Sequence, residues 1–246
     1  MSAAASAILS HLFLAYLVGV LPWVGRARYR GLKLRIEAGD GQARLRFYQL
    51  VLVGQLGMVL VVLVIGRLGG ITSAAFGLAE PALSTPMTIA LAAFLVSLVV
   101  SSLVLRHTGD RPLRRLLKMA GPLLPVSTAE RLLFAVVAVG AGMAEELAFR
   151  GFLLFYFATF LPGLGVPLAV LASSAAFGLG HLYQGVRGVA LTAAIGLFMA
   201  ALYVLSGSLV VPMVMHAALD LRLLVIVTPE RLRRLGAAAA STEPRA

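Results

Sequence analysis

Three groups of polar side chains interrupt long apolar runs in the second half of the chain. In order, they are Glu145, Glu146 and Arg150; Phe177 and His181; and His216 and Asp220. An ionised side chain at the centre of a membrane helix costs about 2.5 to 3.5 kcal/mol, so such residues are candidates for function. A carboxylate with a raised proton affinity can act as a general base that activates water, which is the chemistry of a hydrolase.

Helical spacing gives each group a geometric meaning, because positions four apart share a helix face. Glu146 and Arg150 are therefore expected to pair within one helix. Glu145 is rotated away from that pair and has no local cation, so it is either protonated or faces a wet cavity. His216 and Asp220 also share a face, and Pro212 one turn earlier predicts a kink beside His216.

Each residue alone has a structural explanation, since polar side chains also join membrane helices through hydrogen bonds. Phe177 alone would be read as a packing residue. Two adjacent carboxylates, an arginine, two histidines and an aspartate on three spans nevertheless favour a functional site. His11 and His107 have no such company and are interpreted as ordinary.

The composition excludes several classes of protein. Of 246 residues, 60% are hydrophobic and 13% are charged, and there is no cysteine. A soluble domain is near half apolar and about a quarter charged. The absence of cysteine excludes disulfides, thiolate zinc sites and cysteine nucleophiles.

The apolar runs predict an all-α, polytopic membrane bundle of about seven helices, because a spanning helix needs about 20 apolar residues. We place the runs at residues 7–25, 47–66, 88–105, 132–157, 166–182, 189–205 and 209–227. The first run is not read as a signal peptide, because its charges follow the apolar stretch instead of preceding it.

The basic residues predict the orientation of the bundle. Eighteen of the 21 Lys and Arg residues fall in alternate connections or the C-terminal tail, which predicts an outside N-terminus and a cytoplasmic C-terminus. Since topology explains the net charge of +11, a nucleic-acid partner loses its support. The predicted partners are the lipid bilayer and a membrane-bound substrate.

Three segments are expected. Residues 1–126 hold three spans with basic cytoplasmic loops, residues 127–230 a core of four spans, and residues 231–246 a basic, disordered tail. The string from Ser127 to Glu130 has the form of a capping box, so the fourth helix is predicted to begin there.

The three ordered motifs resemble the CPBP family of intramembrane proteases, which includes the Ras-converting CAAX prenyl endopeptidases. The resemblance covers roughly residues 130–227 and departs at Asp220, where the best-studied members have Asn. It implies that Glu145 and His181 activate water and that Glu146 and Arg150 hold and tune the base. It also implies that His216 and residue 220 stabilise the oxyanion. Because an ionised aspartate accepts hydrogen bonds only, we expect Asp220 instead to orient His216 or keep it protonated.

The same residues lead to expectations for the cofactor and the substrate. A metal-free mechanism is expected, with zinc on Glu145, His181 and His216 as the alternative. The substrate is expected to be a membrane-embedded or lipid-tethered peptide: a prenylated C-terminus, a leader peptide or a C-terminal sorting signal. The expected location is a bacterial or archaeal cytoplasmic membrane. A non-catalytic scaffold and a small proton-coupled transporter are the other two hypotheses.

Overall fold

The computed structural model describes residues 2–107 and 121–232, and this part of the chain is built from helices and their connections without a β-strand. The α-helices are numbered in chain order. They are α1 Ser2–Ala15, α2 Leu21–Glu37, α3 Ala43–Gly69, α4 Thr85–His107, α5 Thr128–Glu146, α6 Leu153–Phe160, α7 Gly165–Gly180, α8 Gly185–Ser206 and α9 Val210–Ile226. Two π-helical turns join consecutive helices into longer rods, Tyr16–Val20 between α1 and α2 and Leu147–Phe152 between α5 and α6.

The predicted membrane bundle of about seven helices is confirmed. Within the described residues, six helical segments are long and apolar enough to cross a membrane. The seventh predicted run forms α9, which has 17 residues and is therefore at the short end of the length that spans a bilayer. Large apolar side chains such as Leu56, Val99 and Leu132 are exposed on the outside of the bundle, as lipid contact requires.

The first span is longer than its apolar run. The rod continues from Ala3 to Glu37, so most of the basic segment expected as a loop after Gly25 is helical. Arginine and lysine are good helix formers, which allows the helix to continue past the apolar stretch. The connection to α3 is then a short turn at residues 38–42.

The fourth predicted helix begins where the capping box places it. The Ser127 hydroxyl accepts from the Glu130 amide at 3.3 Å, and the Glu130 carboxylate accepts from the Ser127 amide at 3.0 Å. The rod then runs to Phe160 and is interrupted only by the π-helical turn Leu147–Phe152. This turn lies immediately after the two glutamates and contains Arg150.

The predicted kink at Pro212 is wrong. Pro212 lies in the first turn of α9, and the helix runs without interruption to Ile226. A proline in the first turn removes no intrahelical hydrogen bond, because the amide groups there have no partner within the helix.

Two glycines bring the helices of the second half into close contact. A Cβ at Gly142 of α5 would lie 2.7 Å from the Met213 carbonyl of α9. A Cβ at Gly178 of α7 would lie 2.7 Å from the Val189 carbonyl of α8. These close approaches are the small-residue packing typical of membrane helices.

Two arginines donate hydrogen bonds to backbone carbonyls near the ends of other helices. Arg131 of α5 donates to the carbonyls of Val227 and Leu224 at 2.7 and 2.6 Å. Arg231, expected at the start of a disordered tail, is instead buried and donates to the Leu105 carbonyl at 2.8 Å. The rest of that tail, from residue 233, and residues 108–120 of a basic connection lie outside the described residues.

Candidate active site

Four of the seven candidate residues line one cavity of about 330 Å³. They come from three different helical segments: Glu145 from α5, His181 from the end of α7, and His216 and Asp220 from α9. The spans that were separate in sequence therefore converge on a single site. The cavity continues away from these four residues to a wall made by α2 and α3.

The elements present these side chains for local reasons. His181 follows the last residue of α7, where a 3₁₀ turn, Leu182–Gln184, leads into α8. Its Nδ1 lies 3.0 Å from the Phe177 carbonyl, one turn back, which leaves Nε2 as the ring nitrogen available to the cavity. His181 is thus at a helix end and not at the middle of its span.

Glu146 lies at the centre of a buried polar layer behind the cavity. Arg150 Nη1 donates to Glu146 Oε1 at 2.8 Å, so the predicted pair within the helix is present. The same oxygen lies 2.7 Å from His216 Nδ1, a contact between α5 and α9. Glu146 and Arg150 are both fully buried, and their charges offset one another.

Phe177 and Gly196 complete that layer. The Arg150 guanidinium lies 4.3 Å from the centre of the Phe177 ring, within the range of a cation–π contact. Arg150 Nη2 donates to the Gly196 carbonyl of α8 at 3.0 Å. The Phe177 ring also meets the His216 ring edge-on, with centroids 5.8 Å apart. Phe177 therefore packs against both Arg150 and His216.

The π-helical turn gives α7 a further attachment. The Ser173 hydroxyl donates a short hydrogen bond to the Phe149 carbonyl within the turn. A π-helical turn displaces carbonyl groups from the regular ladder, and such turns are frequent at functional sites. Sequence reasoning gave no sign of this turn or of Ser173.

Glu145 and Glu146 differ in the partners of their carboxylates. Among the described residues, Oε1 of Glu146 contacts Arg150 and His216, and Oε2 of Glu146 is buried without a hydrogen-bond partner. Oε2 of Glu145 is buried and has no hydrogen-bond partner between residues 2 and 107 or between residues 121 and 232. Such a group needs water or a ligand as its partner. The Glu145 side chain lines the cavity, whereas that of Glu146 does not.

The remaining pair within α9 is loose. His216 Nε2 lies 3.8 Å from Asp220 Oδ2, and the Asp220 side chain is 39% exposed. The tight partner of His216 is Glu146, not Asp220. Glu146 and Arg150 contact His216 and α8, and their expected role in holding and tuning the base Glu145 stays a prediction.

The described residues do not fit the alternative zinc site. No three of their histidine, aspartate and glutamate side chains are close enough to hold a metal ion together. One nitrogen of His216 is already bound to Glu146, and one nitrogen of His181 lies against a carbonyl. We therefore derive no step through a metal.

Sequence reasoning missed the wall of the cavity that faces the motifs. This wall carries polar side chains from the first two spans, namely Arg28, Tyr29, Tyr48 and Gln55. These residues belong to no motif. Their spacing in the sequence shows which of them share a helix face, but not which other helix that face contacts. A polar Gln55 in the middle of an apolar run was the one available signal.

Comparison with known proteins gives a match to a protein-family model. The model of the family described as Rce1-like, type II CAAX prenyl endopeptidase, matches residues 127–222. Searches of curated proteins and of solved structures give no match. The matched region is less than half of the chain and contains all seven candidate residues. Residues 127–222 thus match the Rce1-like family of CAAX proteases, and the resemblance to the CPBP family predicted from the three motifs is confirmed.

Proposed function

We propose that this integral membrane protein is an endopeptidase that cleaves a membrane-embedded or lipid-tethered peptide. The match to a family of proteases supports peptide hydrolysis, and the apolar spans support a substrate held by the bilayer. The cytoplasmic membrane of a bacterium or archaeon is the proposed location.

The single observation that carries this proposal is the position of Glu145. Its side chain lines the same cavity as His181, His216 and Asp220, and the Glu146 side chain does not. Oε1 of the adjacent Glu146 is already in contact with Arg150 and His216. One carboxylate is thus available for chemistry, while its neighbour serves the structure.

In the proposed reaction, Glu145 and His181 bind a water molecule between them. Glu145 accepts a proton from this water as its oxygen attacks the carbonyl carbon of the peptide bond. His216, oriented by Glu146 at Nδ1, donates from Nε2 in its imidazolium form to the oxygen that becomes negatively charged. The proton taken by Glu145 passes to the leaving amine as the carbon–nitrogen bond breaks.

The proposal is tested by comparing peptide ends in membranes that contain the wild-type protein or Glu145→Gln at equal levels. We expect specific new ends with the wild-type protein and their loss, by at least about 100-fold, with the variant, since general-base catalysis contributes about 10² to 10⁴. Glu80→Gln, the same substitution at an exposed position, is the control and should keep the ends.

Two results would contradict a protease. Identical ends in both membranes, with rescue of a deletion phenotype by the variant, would indicate a scaffold. A change in pH-coupled flux without any change in peptide ends would indicate a transporter.

The reaction is proposed to need side chains alone. Purified protein dialysed against a chelator should therefore keep its cleavage rate within about twofold, because no step is routed through a bound ion. The measurement is the rate before and after dialysis, with metal content determined in parallel. Stoichiometric zinc, together with loss of cleavage that added zinc restores, would replace this mechanism with a metal-dependent one.

A further inference from the structure

The wall of the cavity opposite the motifs carries a cation with no assigned role. Arg28 of α2 lines the cavity together with Tyr29 and with Gly54 of α3. All three precede residue 127 and so lie outside the region that matches the protease family. The guanidinium of Arg28 lies over Gly54, where a Cβ would be 4.0 Å from Nη1.

Arg28 has no counterion in the part of the chain that the structure describes. The ion pairs found there are made by other residues, and the pairs on α2 and at the start of α3 join Lys33 to Glu37 and Arg46 to Asp40. The carboxylates that line the cavity, Glu145 and Asp220, come from α5 and α9. The lining of the cavity therefore includes two acidic groups and, within the described residues, one arginine without a counterion.

The helix that carries Arg28 contacts the end of α7 beside His181. Gly25 of α2 packs against Gly180, where its Cβ would be 3.6 Å from the Gly180 carbonyl, and Gly180 directly precedes His181. Arg28 is one helical turn beyond Gly25, about 4.5 Å along the axis. A row of rings also joins α2 to the site: Tyr29 and Tyr183 have centroids 5.2 Å apart, and Tyr183 and His181 have centroids 5.8 Å apart.

We propose that Arg28 binds the C-terminal carboxylate of the substrate and thereby sets where the chain is cut. The inference rests on the proposed function and adds the substrate's recognised group. An arginine presents paired donors that match a carboxylate. A peptide whose end is anchored at Arg28 places the peptide bond beside Glu145 only when that bond is close to the C-terminus, because the cavity is small.

The charge distribution favours this direction of binding. A terminal carboxylate is attracted to Arg28 and repelled by Glu145 and Asp220, so the reverse orientation is disfavoured. Cleavage gives the short C-terminal product a free amino group, and this product is the fragment held at Arg28. The upstream part of the substrate then remains in the bilayer.

The test uses two S-farnesylated peptides of one CAAX-type sequence, one with a free C-terminal carboxylate and one with a C-terminal amide. Their cleavage by the wild-type protein and their binding to Glu145→Gln are both measured in detergent or lipid nanodiscs. We expect the amide to reduce kcat/KM and binding by about tenfold or more, as loss of a charge-assisted hydrogen bond implies.

Variants of Arg28 separate recognition of the carboxylate from the contribution of a basic residue to membrane topology. Arg28→Gln should reduce binding and kcat/KM of the carboxylate peptide by the same factor as amidation does. The two peptides should then be bound and cleaved equally well. Arg28→Lys keeps the charge and should recover part of the preference. Arg30→Gln, an identical change two residues away on a side chain that does not line the cavity, should keep the full preference.

The outcomes distinguish this inference from the proposed function. Cleavage of both peptides at equal rates, or a site of cleavage far from the C-terminus of natural substrates, would overturn the role of Arg28 and leave the protease. Carboxylate-selective, Arg28-dependent binding without any cleavage would keep the site and overturn the protease. An effect of Arg28→Gln that appears only in vesicles with anionic lipid, or equal binding or no binding of the two peptides, would overturn carboxylate recognition.

Discussion

At the scale of single residues, two adjacent glutamates have opposite environments. One step along a helix turns the side chain by about 100 degrees, so Glu145 lines the cavity while Glu146 is buried between α5 and α9. Removing one partner of a buried ion pair typically costs about 3 to 5 kcal/mol, because the other charge stays buried and unpaired. Arg150 contacts a carboxylate, a carbonyl and an aromatic ring, while its Nε has no hydrogen-bond partner among the described residues.

Asp220 carries a prediction at this scale. We expect Asp220→Asn to fold normally and to retain at least about a third of the cleavage rate, because His216 is oriented mainly by Glu146 and lies 3.8 Å from Asp220. The measurement is the cleavage rate at matched membrane levels. Complete loss of cleavage at a normal level would instead make the Asp220 carboxylate essential.

At the scale of elements, the site depends on how closely three rods approach. Gly142 allows α9 to pack directly on α5, and this contact is one turn away from Glu146 and His216. The π-helical turn that follows then carries Arg150 toward α8. The relative positions of catalytic groups on different helices are therefore set by backbone contacts that a single methyl group would change.

Gly142→Ala is expected to reduce cleavage by at least about tenfold while the protein still inserts in the membrane. The added Cβ would be 2.7 Å from the Met213 carbonyl and 3.0 Å from the Ala217 amide, both of which are backbone atoms that move only with α9. A displacement of about 1 Å at a catalytic group can cost about 100-fold in rate. The cleavage rate is measured together with the membrane level.

Gly57→Ala is the matched control for that change. Gly57 is also within a spanning helix, α3, and a Cβ there meets nothing within 4 Å. Its cleavage rate should equal that of the wild type. Unchanged activity in Gly142→Ala, or an equal loss in both variants, would argue against control of the site by this helix contact.

At the scale of the whole molecule, the described bundle has its large apolar side chains outside and its polar layer inside. Lipid supplies no hydrogen bonds, so the buried polar groups must find partners within the bundle. The last carbonyl groups of a helix have no donor within that helix. At the end of α9, Arg131 and Arg231 donate hydrogen bonds to such carbonyls.

The orientation of this bundle in the membrane is a prediction. With seven spans, we expect the N-terminus outside and the C-terminus in the cytoplasm, because the basic residues gather on alternate connections. Reporter fusions at residue 207, between α8 and α9, and at the C-terminus should report opposite sides. A reporter active on the same side at both positions would exclude α9 as a span.

Much of the fold was open to prediction because its causes are local. Apolar runs had to become helices in lipid, the string from Ser127 to Glu130 had to cap one, and Glu146 had to meet Arg150 at a spacing of four. The three motifs were also enough to identify the family resemblance. The kink predicted at Pro212 was wrong even though the apolar run starts within one residue of α9, because a proline in the first turn replaces an amide that has no partner within the helix.

The sequence by itself determined which residues are costly to bury and which of them share a helix face. Tertiary structure alone decided that Glu146 contacts His216 across two helices, and that Glu145 and Arg28, far apart in the sequence, line one cavity. The physical reason is that spacing along one helix is fixed by its backbone geometry. Contacts between helices instead depend on which small residues allow close packing, and on polar groups that must satisfy each other across the bundle.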